Sequence, residues 1–497
     1  MEQLTKDKAR ILFVGDERIC RQVAYVLDFQ AYELVDKLTT ENYPADAEYQ
    51  IFVCEFKRKS KDLVCKSLIK QKNIKFLEDI CRVIDQAHRV NRVSKKELRK
   101  QCSSWLQYWK LSVRSFIKKI YYYFKGFATL RAVKRYRYDQ VKGKNIKYLR
   151  YLKASQLFLY VLRAPVNPHI HCSLLENVVH MCDENVLGCC SGVFPFGSLS
   201  EYRSLEDVYH STYAHIIKLS SLNRSYCLCN TYEWCPHYVA EPKVDLSLKP
   251  LRTPKNPLSM TIAFDHTCNL SCKSCRKEFY CMSNCDKNKI EMVDRQLRRS
   301  GYLDETKVLT VAGAGEVFYS PYYRKLIESN FKCENLCVLS NGTLFNQTNW
   351  DWLKQHHQNI SVKISVDAAT KETYQKLRGG DFENLINNLK MIGSLRRQNK
   401  IYQFDLNFVV QRDNFREMPD FVRLAKSLGA DHIEFQRMNN FGNLTKKEFL
   451  QKCLIINDEY LDRELWEVLQ DPIFAEPIVD LRIFTRYIEA SKQHYNN

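Results

Sequence analysis

Between Ser259 and Gln436 six short apolar runs alternate with longer stretches of helical spacing. The runs are MTIAFD, KVLTVAG, NLCVLSNG, VKISVDA, FDLNFVV and DHIEFQ. Strands separated by whole helices cannot be joined by tight hairpins, so they pair in parallel. In such sheets the groups that do chemistry sit at the carboxyl ends of the strands. The sequence therefore predicts an α/β core over 258–440, and it says where in each repeat to look for a site.

Directly after the first run stands DHTCNLSCKSC, with Cys268, Cys272 and Cys275 spaced C-x3-C-x2-C. Three thiolates on one short loop can hold three corners of a 4Fe-4S cube and leave the fourth iron without a protein ligand. An open coordination position is what a catalytic centre needs and a structural one does not. Zinc, which usually takes four ligands, and a loop with incidental thiols are the competing readings.

This segment resembles the signature loop of the radical S-adenosylmethionine superfamily, and the resemblance runs from about Ser259 to Gln436. It implies a partial (β/α)6 barrel. It also implies a cluster whose open iron is chelated by S-adenosylmethionine, cleaved reductively to methionine and a 5′-deoxyadenosyl radical that abstracts hydrogen from substrate. Ser274 departs from the family, which commonly has an aromatic or apolar residue there against adenine. VLTVAGAGEVFYSP resembles the G-G-E motif through Gly313, Gly315 and Glu316, with Ala314 in the second glycine position. Glycine lets backbone approach a cofactor closely, and a carboxylate such as Glu316 accepts hydrogen bonds from the methionyl ammonium. LSNGTLF resembles the third-strand segment. VKISVDAATKETYQKLRGG resembles the fourth strand and its helix. By this resemblance Ser365 reaches the cofactor's polar edge, Arg378 pairs with its carboxylate, and Asp367 positions substrate. Glu316 and Arg378 are also explained as surface charges, and Ser365 as a strand-end capper.

A second cysteine set precedes the core. HCSLLENVVHMCDENVLGCCSG and YCLCNTYEWCP resemble a SPASM-type auxiliary cluster domain over 165–250, here placed before the core. The resemblance implies Cys172, Cys190, Cys227 and Cys235 as ligands of a second 4Fe-4S cluster, with Cys189 or Cys229 as substitutes. A structural zinc site is the alternative. Cys281 with Cys285, and Cys333 with Cys337, read as buried thiols rather than ligands.

The N-terminal 1–95 reads as a small Rossmann-like α/β domain. ILFVG and YQIFVCEF are its buried strands, with helices following Gly15 and over 61–70. The phosphate-cradling G-x-G-x-x-G is missing, so a structural or docking role is expected rather than dinucleotide binding. Residues 96–164 are rich in Lys, Arg and aromatics, with nine basic residues against one acidic between Leu130 and Lys153. Amphipathic helices are expected there. They present either a solvated face or a docking face for an acidic partner, RNA or a membrane surface. Residues 441–497 read as a C-terminal helical extension.

With 497 residues, 45% of them hydrophobic, two or three cores can be buried. No apolar run suggests a membrane span, and the N-terminus does not read as a signal peptide. A cytoplasmic location is therefore expected. The twenty cysteines fit metal or redox chemistry in a reducing compartment better than disulfides. A formal charge of +19 suits an anionic partner without naming it. The resemblance implies a radical enzyme acting on a peptide or small sugar-type molecule, by oxidation, epimerisation or crosslinking, with flavodoxin or ferredoxin as electron donor. The alternative is a noncatalytic iron–sulfur or zinc protein.

Overall fold

The computed structural model describes residues 10–28, 49–54, 74–90, 152–165, 177–189, 194–229, 255–275, 284–440, 443–457 and 459–495. It also describes the short pieces 31, 33–35, 37, 149, 170–172 and 239–240. The chain divides into two compact units. One holds Met1–Val179, Glu184–Tyr232 and His237–Lys255, and the other holds His180–Asp183, Glu233–Pro236 and Asn256–Asn497. The helix expected over 61–70 and most of the basic aromatic stretch lie outside the described residues. Among the described residues no helix is long and apolar enough to cross a membrane.

In the first unit β1 (Arg10–Gly15), β2 (Glu33–Val35), β3 (Tyr49–Cys54) and β4 (Ile74–Phe76) form a parallel sheet in the order β2-β1-β3-β4. The run ILFVG is buried from end to end, as a parallel strand covered on both faces requires. Helix α1 (Glu17–Val26) starts where the Asp16 carboxylate accepts the Ile19 N–H. Helix α2 (Leu77–Val90) follows β4. Its Asp85 accepts both the backbone N–H and the hydroxyl of Ser155, each at 2.9 Å. The unpaired N–H groups at the start of α3 (Ala154–Arg163) thereby find an anionic partner.

A hairpin of β5 (Asn185–Leu187) and β6 (Pro195–Ser198) leads to α4 (Leu205–Tyr209) and α5 (Thr212–Leu222) in the same unit. Helix α5 is buried almost all round and packs on α1, α2 and α3. Asn223 ends it by donating to Gln22 Oε1 at 3.1 Å and to the Val161 carbonyl at 3.3 Å. The buried Lys218 on α5 donates to the Tyr209 carbonyl at 3.0 Å, and its ammonium lies 3.3 Å from the centre of the Tyr209 ring. A cation at the end of α4 is favoured by the helix dipole and by the ring face.

The second unit contains seven neighbouring parallel strands. They are β7 (Ser259–Ala263), β8 (Val308–Val311), β9 (Asn335–Ser340), β10 (Ile360–Ser365), β11 (Gln403–Val410), β12 (His432–Arg437) and β13 (Val479–Asp480), each beside the next. The first six are the runs read from the sequence. The seventh comes from the segment read as a helical extension, where two residues pair Ile433 with Val479 and Glu434 with Asp480. Helices α6 (Asn284–Arg299), α7 (Pro321–Ile327), α8 (Gln347–His356), α9 (Lys371–Arg378), α10 (Phe382–Arg397) and α11 (Met418–Leu428) connect the strands, and α12 (Phe484–Tyr495) follows β13. On the helix side the strands are apolar: Phe408 stacks against Phe421 and Phe435 with ring centres 4.8 and 5.4 Å apart. The other face alternates Lys363 and Ser365 on β10, Asp405, Asn407 and Val409 on β11, and Glu434 and Gln436 on β12.

Gly393 of α10 lies against the last turn of α11, and a Cβ there would collide with the Leu428 carbonyl oxygen. An exposed helical glycine gains about 1 kcal/mol on replacement by alanine, but here overpacking reverses the sign. Gly393→Ala should destabilise the core by about 1–3 kcal/mol and lower its thermal midpoint. A raised midpoint would show that the two helices have room to spare.

Candidate active site

The loop after β7 is fixed before any cysteine is reached. Asp265 is fully buried, and its Oδ1 accepts from the Thr267 N–H at 2.9 Å and the Thr267 hydroxyl at 2.6 Å, a turn closed by its own side chain. Its Oδ2 accepts from the Ser320 hydroxyl. The Tyr323 hydroxyl accepts the Asp265 N–H at 3.1 Å and lies 3.0 Å from the carbonyls of Asp265 and Ala314. Burial pushes this phenol far above its ordinary range, so it stays a neutral donor. Gly315 has φ +77°; a Cβ there would collide with the Asp265 carbonyl and sit 2.8 Å from that of Thr267. Only glycine permits this approach of the β8 end to the loop. The Glu316 N–H then donates to the Thr267 carbonyl at 2.8 Å.

Cys268, Cys272 and Cys275 follow from this anchored start. All three line one cavity of about 220 Å³, together with Ser274, Gly313, Gly315, Ser365 and Arg378. The loop is tied down further on by the Lys273 N–H donating to the Leu377 carbonyl at 3.0 Å, and by Asn443 donating to the Lys273 carbonyl at 3.0 Å. Two polar groups approach the sulfurs. Asn341 Nδ2 lies 3.8 Å from Cys268 Sγ, and Arg378 Nη1 lies 3.9 Å from Cys272 Sγ. Burial pushes the Cys272 thiol up, and the Arg378 guanidinium pulls the other way. A single zinc ion would need ligands about 2.0–2.3 Å from the metal. Among the described residues no group of three or more His, Cys, Asp or Glu is arranged to hold one ion. The three thiols share their cavity with the Arg378 guanidinium, and the Asn341 amide lies beside Cys268, so the donors around them suit an anionic group.

Arg378 is not a free cation. Its Nε and Nη2 donate to Asp367 Oδ2 at 3.0 and 2.8 Å, with both side chains at least nine-tenths buried. Asp367 has φ +63°, and Ala312 at the end of β8 has φ +71°. Such backbone costs about 1–3 kcal/mol per residue and persists where surrounding bonds dictate it. Asp367 is held by the Val409 N–H to its Oδ1 at 2.7 Å and by Asn414 to its carbonyl at 2.9 Å.

Glu316 stands apart from the other expected cofactor contacts. It is fully buried and does not line the cavity. Its Oε1 accepts from the Ser340 hydroxyl at 2.7 Å and the Phe318 N–H at 3.4 Å, and its Oε2 accepts the Asn341 N–H at 2.7 Å. Burial raises its pKa against the pull of these donors. The carboxylate thus sits behind the wall and sets the exit of β9. Asn341, so placed, also donates to Asn269 Oδ1 at 2.9 Å and braces the cysteine loop. Asn341 was not singled out from the sequence, nor were Ala312, Val409 and the segment 436–439 at the end of β12, all of which line the cavity. The rule that strand ends carry the site would have pointed to each of them.

Of the second cysteine set, Cys172 and Cys227 are described, and Cys190 and Cys235 lie outside the described residues. The Cys227 residue keeps some exposed surface, but its thiol is enclosed: burial pushes it up to about 12, and the Ser225 hydroxyl lies 3.3 Å from the sulfur. The Ser221 hydroxyl donates to the Cys172 carbonyl at 2.8 Å. Cys189 is buried and Cys229 half-buried. Cys333 and Cys337 are half-buried, with thiols that burial pushes up.

On the same sheet face as Ser365 and Val409, a cluster of ions is paired. Lys363 Nζ lies 3.1 Å from Glu434 Oε2 and 3.8 Å from Asp405 Oδ2. Arg482, two residues past β13, reaches Glu434 Oε2 at 2.7 Å, and Gln436 donates to Glu434 Oε1 at 2.6 Å. Burial pushes the Glu434 carboxyl up, but Lys363 and Arg482 outweigh it and hold it at about 2.

No family model matches the chain. Its sequence is similar to the antilisterial bacteriocin subtilosin biosynthesis protein AlbA of Bacillus subtilis (strain 168), 27% identical over 191 residues. That match covers 37% of this chain and 40% of AlbA, so the chain spans about two fifths of the length of this curated relative. Among solved structures, Streptococcus suis SuiB bound to the precursor peptide SuiA matches at 17% identity and a TM-score of 0.35, over 47% of this chain and 51% of that one. Native anSMEcpe with bound AdoMet and the Cp18Cys peptide matches at 19% identity and a TM-score of 0.33, over 46% and 64%.

Two outcomes test this geometry. Asp367→Asn keeps a residue that tolerates positive φ but removes the charge facing Arg378. It should cost about 3 kcal/mol in urea unfolding of the core, and a loss within experimental error would show that the pair is not buried. Glu434 contributes stability that is fully present above its ordinary value of 4.5 and is lost as pH falls towards about 2. Glu434→Gln should therefore flatten the fall of stability between those two pH values, read from thermal midpoints along a pH series.

Proposed function

We propose that this chain is a radical S-adenosylmethionine enzyme whose catalytic 4Fe-4S cluster is held by Cys268, Cys272 and Cys275. The observation that carries the proposal is the meeting of these three thiols in one cavity with the ends of consecutive parallel strands. The sequence resemblance, which also implies the partial barrel, and the likeness to AlbA support it. When bound, the cluster and S-adenosylmethionine supply reductive cleavage of the cofactor and abstraction of a hydrogen atom from substrate.

The chain's own residues then have separable tasks. Arg378, oriented by Asp367, places positive charge beside the Cys272 thiolate and faces the cavity where a cofactor carboxylate would lie. Gly313 and Gly315 offer bare backbone as the wall; a Cβ on Gly313 would lie 2.8 Å from that of Ala263. Ser365 and Ser274 supply hydroxyls to the same cavity. Glu316 acts at one remove, by fixing Ser340 and Asn341. Asp367 is committed to Arg378, which makes it a positioning residue. A bacteriocin biosynthesis protein as relative favours a peptide over a sugar-type small molecule as substrate. A second cluster on Cys172, Cys190, Cys227 and Cys235, an electron donor such as flavodoxin or ferredoxin, and docking of an acidic partner on the basic segment complete the proposal.

Anaerobic, reduced protein given S-adenosylmethionine should yield 5′-deoxyadenosine. Replacing Cys268, Cys272 and Cys275 by Ala should abolish it. With both clusters present the protein should carry about eight irons, and the triple variant should keep about half of them. A triple variant that still forms 5′-deoxyadenosine would sink the assignment. One that keeps zinc and no iron would make the second site structural.

A further inference from the structure

The first cysteine of the loop has a donor that comes from another strand. Cys268 Sγ accepts the Leu270 N–H at 3.4 Å from its own loop, and the Asn341 amide nitrogen lies 3.8 Å away. Asn341 stands at the exit of β9, lines the cavity and is only 6% exposed. Its amide is held in one orientation by a closed ring of hydrogen bonds. Asn341 Nδ2 donates to Asn269 Oδ1 at 2.9 Å, Asn269 Nδ2 donates to the Thr343 hydroxyl at 2.9 Å, and that hydroxyl donates to Asn341 Oδ1 at 2.7 Å. The Thr343 N–H adds a second donor to the same Oδ1 at 3.0 Å. An atom that receives two donors is the oxygen, so the atom beside Cys268 is the NH2. That group has two hydrogens. One is given to Asn269, and the other is left for the sulfur.

We infer that Asn341 is a positioning residue that sets the reduction potential of the cluster on Cys268, Cys272 and Cys275, through an N–H donated to the Cys268 thiolate. The inference rests on reading these cysteines as cluster ligands and deepens that reading. Reduction adds one electron to the cluster from an external low-potential donor, with no bond broken and no proton moved. Hydrogen bonds to the sulfurs are one of the levers by which a protein tunes that step. An N–H donated to a sulfur stabilises the more negative, reduced state more than the oxidised one. It therefore raises the potential and makes the cluster easier to reduce. Burial of Asn341 strengthens the effect, because little water screens the bond or replaces it. The other donors leave less to adjust. The Leu270 N–H is main chain, and the Arg378 guanidinium, 3.9 Å from Cys272 Sγ, has its charge matched by Asp367.

The test uses the full chain, reconstituted anaerobically with iron and sulfide, and needs no S-adenosylmethionine. Samples are poised with dithionite at a series of potentials, and reduced cluster is counted by electron paramagnetic resonance. The signal read is the one missing when Cys268, Cys272 and Cys275 are all replaced by Ala, so a second cluster does not contribute. In Asn341→Ala the ratio of reduced to oxidised cluster at a fixed potential should fall about tenfold, a midpoint lower by about 59 mV. Asn443→Ala is the control, since it frees the loop at Lys273 without taking a donor from a sulfur. Its ratio should stay within twofold of wild type. An Asn341→Ala ratio within twofold of wild type overturns the proposal, even where less iron is bound. An equal fall in Asn443→Ala overturns it too, because loop geometry would then set the potential. If Asn341→Ala takes up no cluster, Asn341→Asp carries the same readout. Its carboxylate keeps an acceptor for Thr343 and has no N–H for the sulfur, so an unmoved midpoint there counts equally against the proposal. A wild type without the signal removes the cluster assignment together with this inference, whereas a signal whose midpoint ignores Asn341 removes this inference alone.

Discussion

The core depends on how closely the end of one strand can approach the loop that follows its neighbour. Gly315 lies against the backbone carbonyls of Asp265 and Thr267, at a distance that no side chain allows. Around that contact Asp265, Thr267, Ser320 and Tyr323 satisfy one another's polar groups in a knot that is buried except at Thr267. A buried network is stabilising only when every member is paired. This one is, and its outcome is that Cys268 begins from a fixed point. The spacing of the three cysteines would mean little on a loop free to choose its path. Here the loop is pinned before Cys268 by the knot, between Cys272 and Cys275 by Leu377, and from the side by Asn341 and Asn443.

A second constraint is electrostatic. Arg378 and Asp367 are buried together, and a buried pair of this kind seldom adds much stability over an apolar pair. Its value here is orientation. Asp367 adopts a left-handed backbone held by Val409 and Asn414, and the strain is justified by where it sends the guanidinium. The charge ends beside Cys272 and at the cavity wall. Asp367 looks like an acid near a site, but its bonds make it the support of a cation that faces the cavity. Glu316 follows the same logic: a carboxylate in a suggestive motif, spent on holding β9 in place.

Much of the core was legible because parallel strands leave strong marks. Six apolar runs, each followed by a helix, became six neighbouring strands, and the C-x3-C-x2-C loop fell at the end of the first. The cavity residues Gly313, Gly315, Ser365 and Arg378 were found through motifs that have a steric or charge reason at those positions. What escaped notice had no such mark. Strand β13 is two residues long and is added by pairing with β12 alone, so no periodicity announces it. Helix α5 was not singled out either: its polar His215, Lys218, Ser220 and Ser221 give no sign that it is buried among α1, α2 and α3. Tertiary contact overrode pattern there, as it does wherever a cation finds a carbonyl and a ring. Asn341 stands inside LSNGTLF, which was read only as the third-strand segment.

The sheet face beneath the cavity shows how charge can be present without being available. Lys363 is buried, and burial alone would push its ammonium towards the neutral, nucleophilic form. Glu434 and Asp405 outweigh burial and raise its pKa instead, so it remains a cation. Arg482 adds a second cation from beyond β13, and Glu434 is shared between the two. These groups cancel locally and leave no free base or nucleophile among them. The cavity instead brings together the three thiols and the ends of the strands. The residues below shape the floor and its polarity.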